Sequence, residues 1–209
     1  MFRASFGKPD QMRLKLAAAA LVTLALCTPA LAAGLSGMGA AIYGNSFNFK
    51  KANLQQAPVG KISVGKLSIG LQTTKMKDVQ KAFGGTLQSS GEATWLCYHA
   101  DDTNTWFISN AFGGQEFVMM VAVEVNSRTP GDCEPANEAF AQPKFDVPGI
   151  GAKLADLKAQ FGAASGSKVA YRADRPGGYS DIAQYLGYVL KGGTVTGIGV
   201  GETSIPTEH

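Results

Sequence analysis

From residue 61 onward, apolar and polar positions alternate in short runs interrupted by stretches of helical spacing. In KISVGKLSI (61–69), Ile62, Val64, Leu67 and Ile69 alternate with polar neighbours, which predicts extended chain. TTKMKDVQKAFGG follows, with Met76, Val79 and Phe83 on one face of a short helix. Thr73 or Thr74 is placed to accept from the first helical amides, and Gly84 to end the helix in a left-handed conformation. The period then becomes that of strands. TWLCYH and TWFIS alternate, and EFVMMVAVEV predicts a longer strand after the turn Gly113-Gly114.

This order recurs. KMKDVQKAFG (75–84) aligns without gaps on KLADLKAQFG (153–162), with Lys, Asp, Phe and Gly identical and the apolar face kept. Gly113-Gly114 has a counterpart in Gly192-Gly193, each after aromatic strand residues. FVMMVAVEV likewise has a counterpart in VTGIGVGET. The chain therefore reads as α+β, with two tandem repeats at 61–134 and 135–209. Each is a short helix followed by a three- to four-stranded antiparallel sheet. A unit of this size buries little surface alone, so the two are expected to pack together or share a sheet. CEPANEAFAQPKFDVPG, broken by Pro135, Pro143 and Pro148, is the join. Residues 33–60, rich in Gly, Ala, Asn and Gln without sustained periodicity, read as a flexible leader.

The N-terminus alters the charge picture. Arg3, Lys8, Arg13 and Lys15 precede the apolar run Leu16–Cys27, and Ala30-Leu31-Ala32 supplies a small-residue cleavage signal. Residues 1–32 read as a secretory signal peptide, with Met12 an alternative start. The apolar run is too short to span a bilayer, which takes about 20 residues. Leu26 before Cys27 is wrong for a lipoprotein signal, which argues against a lipid anchor there. Removing this segment leaves basic and acidic residues equal in number, and nothing in the balance points to nucleic acid. It also leaves two cysteines, Cys97 and Cys133, which in an oxidising exported compartment read as a disulfide.

Repeats opening with Gly70, Thr73 or Thr74, Asp78-Val79 and Phe83-Gly84, and again with Gly151, Asp156-Leu157 and Phe161-Gly162, resemble the tandem β-lactamase inhibitory protein fold. A single unit of this kind is similar to the SmpA/OmlA-like lipoproteins of outer-membrane assembly. The resemblance implies an exported protein whose work is binding or inhibition of another protein.

The densest chemistry lies in CYHADD (97–102). In a strand, Trp95, Cys97 and His99 share one face and Leu96 and Tyr98 the other. Residues two apart on a strand are roughly 7 Å apart at the backbone, too far for a default thiol–imidazole pair. Zinc needs three or four ligands, and the other histidine is His209 at the chain end. Asp101-Asp102-Thr103-Asn104 reads as a turn and lacks the Gly and Glu of a calcium loop. TGIGVGET does not run from a strand into a helix, so it is no dinucleotide fingerprint; its glycines suit close packing or a bend. Glu92, Glu116 and Glu124 form no spaced pair. The sequence supplies no catalytic set, metal site or cofactor motif.

The reading is a periplasmic or secreted, non-catalytic protein-binding or inhibitor-like protein whose partner is an envelope or secreted protein. The alternatives are an envelope hydrolase, requiring Asp101 or Asp102 to meet a glutamate in a pocket, or a structural outer-membrane-assembly component. Candidate binding residues are Trp106, Phe112, Arg172, Arg175, Tyr179 and Tyr185, with YRADRPGGYSD (171–181) the recognition loop.

Overall fold

The computed structural model describes residues 34–111 and 115–205. The expected signal peptide with Cys27, together with Phe112, the Gly113-Gly114 turn and His209, lies outside the described residues. In chain order the elements are α1 (Gly37–Tyr43), β1 (Ile62–Val64), β2 (Leu67–Ile69), α2 (Met76–Phe83), β3 (Gln88–Ser90), β4 (Ala93–Ala100), β5 (Thr103–Asn110) and β6 (Met120–Val125). They continue as β7 (Glu134–Pro135), β8 (Lys144–Phe145), α3 (Leu154–Phe161), β9 (Lys168–Arg175), β10 (Asp181–Lys191) and β11 (Thr194–Ile205). The α+β class is as expected.

The strands of both expected units share one eight-stranded sheet, ordered β3-β4-β5-β6-β11-β10-β9, with β7 beside β4. Neighbours on this path are antiparallel, and β7 pairs parallel with β4 at Tyr98 and His99. β6 and β11 meet at the centre, with Ala122 opposite Gly199. A separate three-stranded sheet, β2-β1-β8, joins residues on both sides of the expected boundary, and position 134/135 falls inside β7. That boundary is corrected: backbone pairing ties the join to the first segment.

The two longer helices sit on one face. Met76, Val79 and Phe83 of α2 and Leu157 of α3 share a core with Leu96, Tyr98, Phe107, Val121, Leu186, Tyr188 and Ile198. Val79 and Leu157 are fully buried, each contributing about 1.5–3 kcal/mol. Helices of 8 residues are too short to hold alone, so packing and backbone anchors fix them. Met76 N donates to Glu116 O and Val118 N to Thr74 O; Leu154 N donates to Gly193 O and Val195 N to Ala152 O. The expected threonine cap is corrected accordingly: Thr74 Oγ1 accepts instead from Gly70 N (2.8 Å). Gly84 does end α2 with positive φ (76°).

The flexible-leader expectation is overturned. Residues 37–43 are helical, and Met38, Ile42, Phe47 and Phe49 are buried against the opposite sheet face with Trp95, Trp106 and Met120. The glycines of VTGIGVGET make room: a Cβ on Gly199 would sit 3.1 Å from both Ile42 and Met38. Asp132 accepts from Ser36 N (3.2 Å), Ser36 Oγ (2.6 Å) and Trp106 Nε1 (2.9 Å), while Glu124 accepts from Met38 N (2.8 Å). The segment then crosses the β9 edge, where Asn53 N and Leu54 N donate to Arg172 O, and reaches the α2/α3 face at Val59. A composition of small and polar residues concealed this, because glycine on the receiving strand supplies half the fit.

Cys97 and Cys133 form the expected disulfide, a buried one of the kind oxidising compartments preserve. It joins β4 to the turn that carries Asp132. Replacing both cysteines by serine is expected to lower stability by about 3–4 kcal/mol for a 36-residue span, read from chemical denaturation of the paired variant.

Burial raises the phenol pKa of Tyr98 and Tyr188 from 10.0, helped by Glu134 beside Tyr98 and by Tyr171 beside Tyr188. Both phenols stay protonated in the folded state while ionising in the unfolded chain. Stability is therefore complete below about pH 10 and falls as pH rises above it, by about 1.4 kcal/mol per unit per tyrosine. Burial raises Tyr43, Tyr171 and Tyr185 as well, so urea midpoints between pH 8 and 11 are expected to show this decline, made shallower but not abolished in Tyr188→Phe.

Candidate functional site

Hairpin geometry decides where the candidate residues lie. β9 and β10 pair from Arg175–Ile182 inward, leaving Pro176–Ser180 as the tip. Alternation along β9 places Val169, Tyr171, Ala173 and Arg175 toward the α2/α3 face, and Arg172 and Asp174 toward the α1 face. The recognition loop is therefore shorter than YRADRPGGYSD suggested: Arg172 and Arg175 belong to a strand and point to opposite faces.

Arg172 is held inside the fold. Its Nε and Nη2 donate to Asp174 (2.7 and 3.0 Å), Nη1 donates to Phe49 O (2.7 Å), and the guanidinium lies 5.5 Å from the Tyr185 ring centroid. The bonds to Asp174 raise its pKa. Tyr185 also packs on Phe49 at 5.1 Å, and burial raises its phenol pKa. These two candidates come together, lining a cleft of about 390 Å³ with Tyr43, Phe49, Met120 and Thr203. Trp106 is corrected as a surface anchor: it is fully buried, with Gly37 and Gly39 of α1 against its ring. Phe112 lies outside the described residues.

The other pair of candidates, Arg175 and Tyr179, forms the hairpin end. Tyr179 is fully exposed at the tip, and Arg175 is half exposed at its base. Gly177 folds so tightly onto Ser180 O that a side chain there would collide with it, which keeps the tip compact.

Beneath Arg175 lies a cleft of about 250 Å³ bounded by Val59, Lys61, Ile62, Ile69, Leu71, Gln184 and Glu202. Its floor is a bonded polar group. Glu202, 8% exposed in its side chain, accepts from Arg175 Nη2 (2.9 Å), Gln72 Nε2 (3.1 Å) and Gln184 Nε2 (3.3 Å). Gln184 also exchanges two bonds with the Val59 backbone (2.8 and 2.9 Å), acting as a local strand partner. Lys61, on the rim, is exposed. Glu202, Gln184, Gln72 and Lys61 were not singled out from sequence. A signal existed for two of them. Ile198, Val200 and Glu202 alternate along β11, and Gln184, Leu186 and Tyr188 along β10, so both polar residues point with the core.

The CYHADD chemistry resolves into structure. Asp101 and Asp102, both exposed with positive φ (47° and 57°), make a two-residue turn between β4 and β5; Thr103 and Asn104, expected in the turn, already belong to β5. His99 Nδ1 lies 2.7 Å from Asn104 Oδ1. Among the described residues the group of potential metal ligands is Cys97, Asp132 and Cys133. Both sulfurs there are in the disulfide, and Asp132 is bonded to Ser36 and Trp106. No helix among the described residues is long and apolar enough to cross a membrane.

Replacing Glu202 by Ala strands two amides and a guanidinium around a small void. A loss of about 1–3 kcal/mol is expected, read as a lowered urea midpoint, with Glu202→Gln losing less. The chain matches no family model, no curated protein and no solved structure.

Proposed function

We propose that this protein is an exported, non-catalytic protein-binding protein, inhibitor-like in action, that meets a periplasmic or secreted partner with the β9–β10 hairpin tip. The observation that carries this reading is Tyr179, fully exposed at a compact tip with Arg175 at its base. Tyrosine and arginine supply much of the binding energy at protein interfaces, since each offers large contact area and directed hydrogen bonds. A rigid hairpin loses little freedom on docking. The buried disulfide supports an oxidising destination. The hydrolase alternative has less support, because Asp101 and Asp102 occupy an exposed turn.

The scaffold reads as an internal duplication, consistent with the resemblance to the tandem inhibitory fold. Two anchoring bonds of α2 and α3 correspond: Met76 N to Glu116 O with Leu154 N to Gly193 O, and Val118 N to Thr74 O with Val195 N to Ala152 O. Phe83, Tyr98 and Phe107 form one aromatic group, and Phe161, Tyr171 and Tyr188 form its counterpart. β6 and β11, the last strands of the two halves, pair about Ala122 and Gly199, as two related units meeting across a local two-fold would.

A photo-crosslinking residue at position 179 in the exported protein is expected to give a discrete protein adduct that position 87, exposed elsewhere, does not give. Tyr179→Ala is expected to weaken that complex by about 2 kcal/mol or more, roughly thirtyfold, with an unchanged melting curve. Equal adducts at both positions, or unchanged affinity, would refute the hairpin reading.

A further inference from the structure

We propose that the cleft at the base of the hairpin binds a carboxylate carried on a short aliphatic arm. This deepens the reading above, since Arg175 belongs to both surfaces, but it rests on the chemistry of the cleft itself.

The charged side chains lining the cleft are Lys61, Arg175 and Glu202. Glu202 is committed: it is buried, and three donors converge on its oxygens. The cations are not. Among the described residues, Arg175 spends one of a guanidinium's five N–H groups, on Glu202, and Lys61 has no side-chain partner. The open hydrogen-bonding capacity of the charged groups is thus mostly donor, since Glu202 already accepts three bonds while Arg175 and Lys61 keep most of their N–H groups, and the two cations outnumber the single carboxylate. Glu202 anchors one end of Arg175, so the remaining face of the guanidinium is presented in a fixed direction. That is the arrangement that recognises a planar two-oxygen anion.

The walls set the rest of the ligand. Val59, Ile62 and Ile69 are nearly fully buried from solvent yet border the cleft, and Leu71 adds a fourth aliphatic surface. A phosphate or sulfate would leave that apolar surface unused. A carboxylate at the end of a few carbons satisfies both the cationic rim and the apolar wall, and about 250 Å³ is room for a group of side-chain size. Two sources share this chemistry, an acidic or terminal residue of a docked protein and a free short-chain acid.

The test is titration of the full exported protein, followed through the side-chain N–H resonances of Arg175 and Gln184. The probes are N-acetyl-leucine, N-acetyl-leucinamide, and an end-blocked peptide with one internal glutamate. N-acetyl-leucine is expected to give saturable shifts at millimolar concentration, and the uncharged amide to bind roughly tenfold or more weakly. Lys61→Gln, at an exposed position that leaves the Glu202 contacts intact, is expected to weaken the acid several-fold, and Arg175→Gln to weaken it further. Tighter binding of the glutamate peptide would assign the carboxylate to a protein, and tighter binding of N-acetyl-leucine to a free acid. Tyr179→Ala is expected to leave small-acid binding unchanged while weakening the crosslinked complex, so the two readings fail separately. Equal shifts from acid and amide, no saturation, or unchanged affinity in Lys61→Gln would overturn the proposal.

Discussion

The pairing of β6 with β11 is the constraint on which the rest of the structure depends. It joins β3, β4, β5 and β6 on one side to β11, β10 and β9 on the other in one continuous sheet, so that α2 and α3 share a single core rather than closing two small ones. A unit of this length alone would expose too large a fraction of its apolar surface. Joined edge to edge, each half also removes the other's open strand edge, where unpaired amides would invite association.

A wide sheet has two faces, and covering the second is the work of the segment before β1. That segment contributes one short helix and a few aromatic residues. Its hold comes from close approach rather than length: glycines in β11 and β10 let Met38, Ile42 and Phe47 reach the sheet backbone. Two buried or half-buried carboxylates, Asp132 and Glu124, receive the first amides of the helix. The disulfide holds the Asp132 turn against β4, so the covalent link and the docking of α1 act on the same corner. Crossing the β9 edge, the segment also shields part of the strand that ends at the hairpin tip.

The site inherits its rigidity from this arrangement. Gln184 binds Val59 through both amide atoms, and Glu202 gathers Gln72, Gln184 and Arg175, so the wrapped segment, the loop before α2 and the hairpin meet at one bonded group. Polar groups buried in this way are costly unless satisfied, and a fully bonded set restricts the neighbouring side chains to one arrangement. Arg175 is directed by that set, whereas Arg172, three residues away on the same strand, is turned inward by Asp174 and Phe49. Strand alternation alone separates a surface cation from a structural one.

Much of this was legible locally. The spacing of Met76, Val79 and Phe83 located α2, Asp101-Asp102 located a hairpin turn, and alternation placed Cys97 and Tyr98 on opposite faces. Cys97 and Cys133, read as a pair on the expectation that residues 1–32 are a signal peptide, are bonded to each other. Periodicity, turn preference and cysteine parity depend on residues close in sequence or on simple counting, and the chain by itself determined those features. Tertiary structure alone decided that residues 37–59 cover a sheet rather than trail as a leader, and that Trp106 is enclosed beneath α1. It alone brought Glu202 to Arg175, Gln72 and Gln184. Each of these depends on surfaces built by segments distant in sequence, where glycine gaps, strand direction and the satisfaction of buried charge select the partner, and no local propensity records that choice.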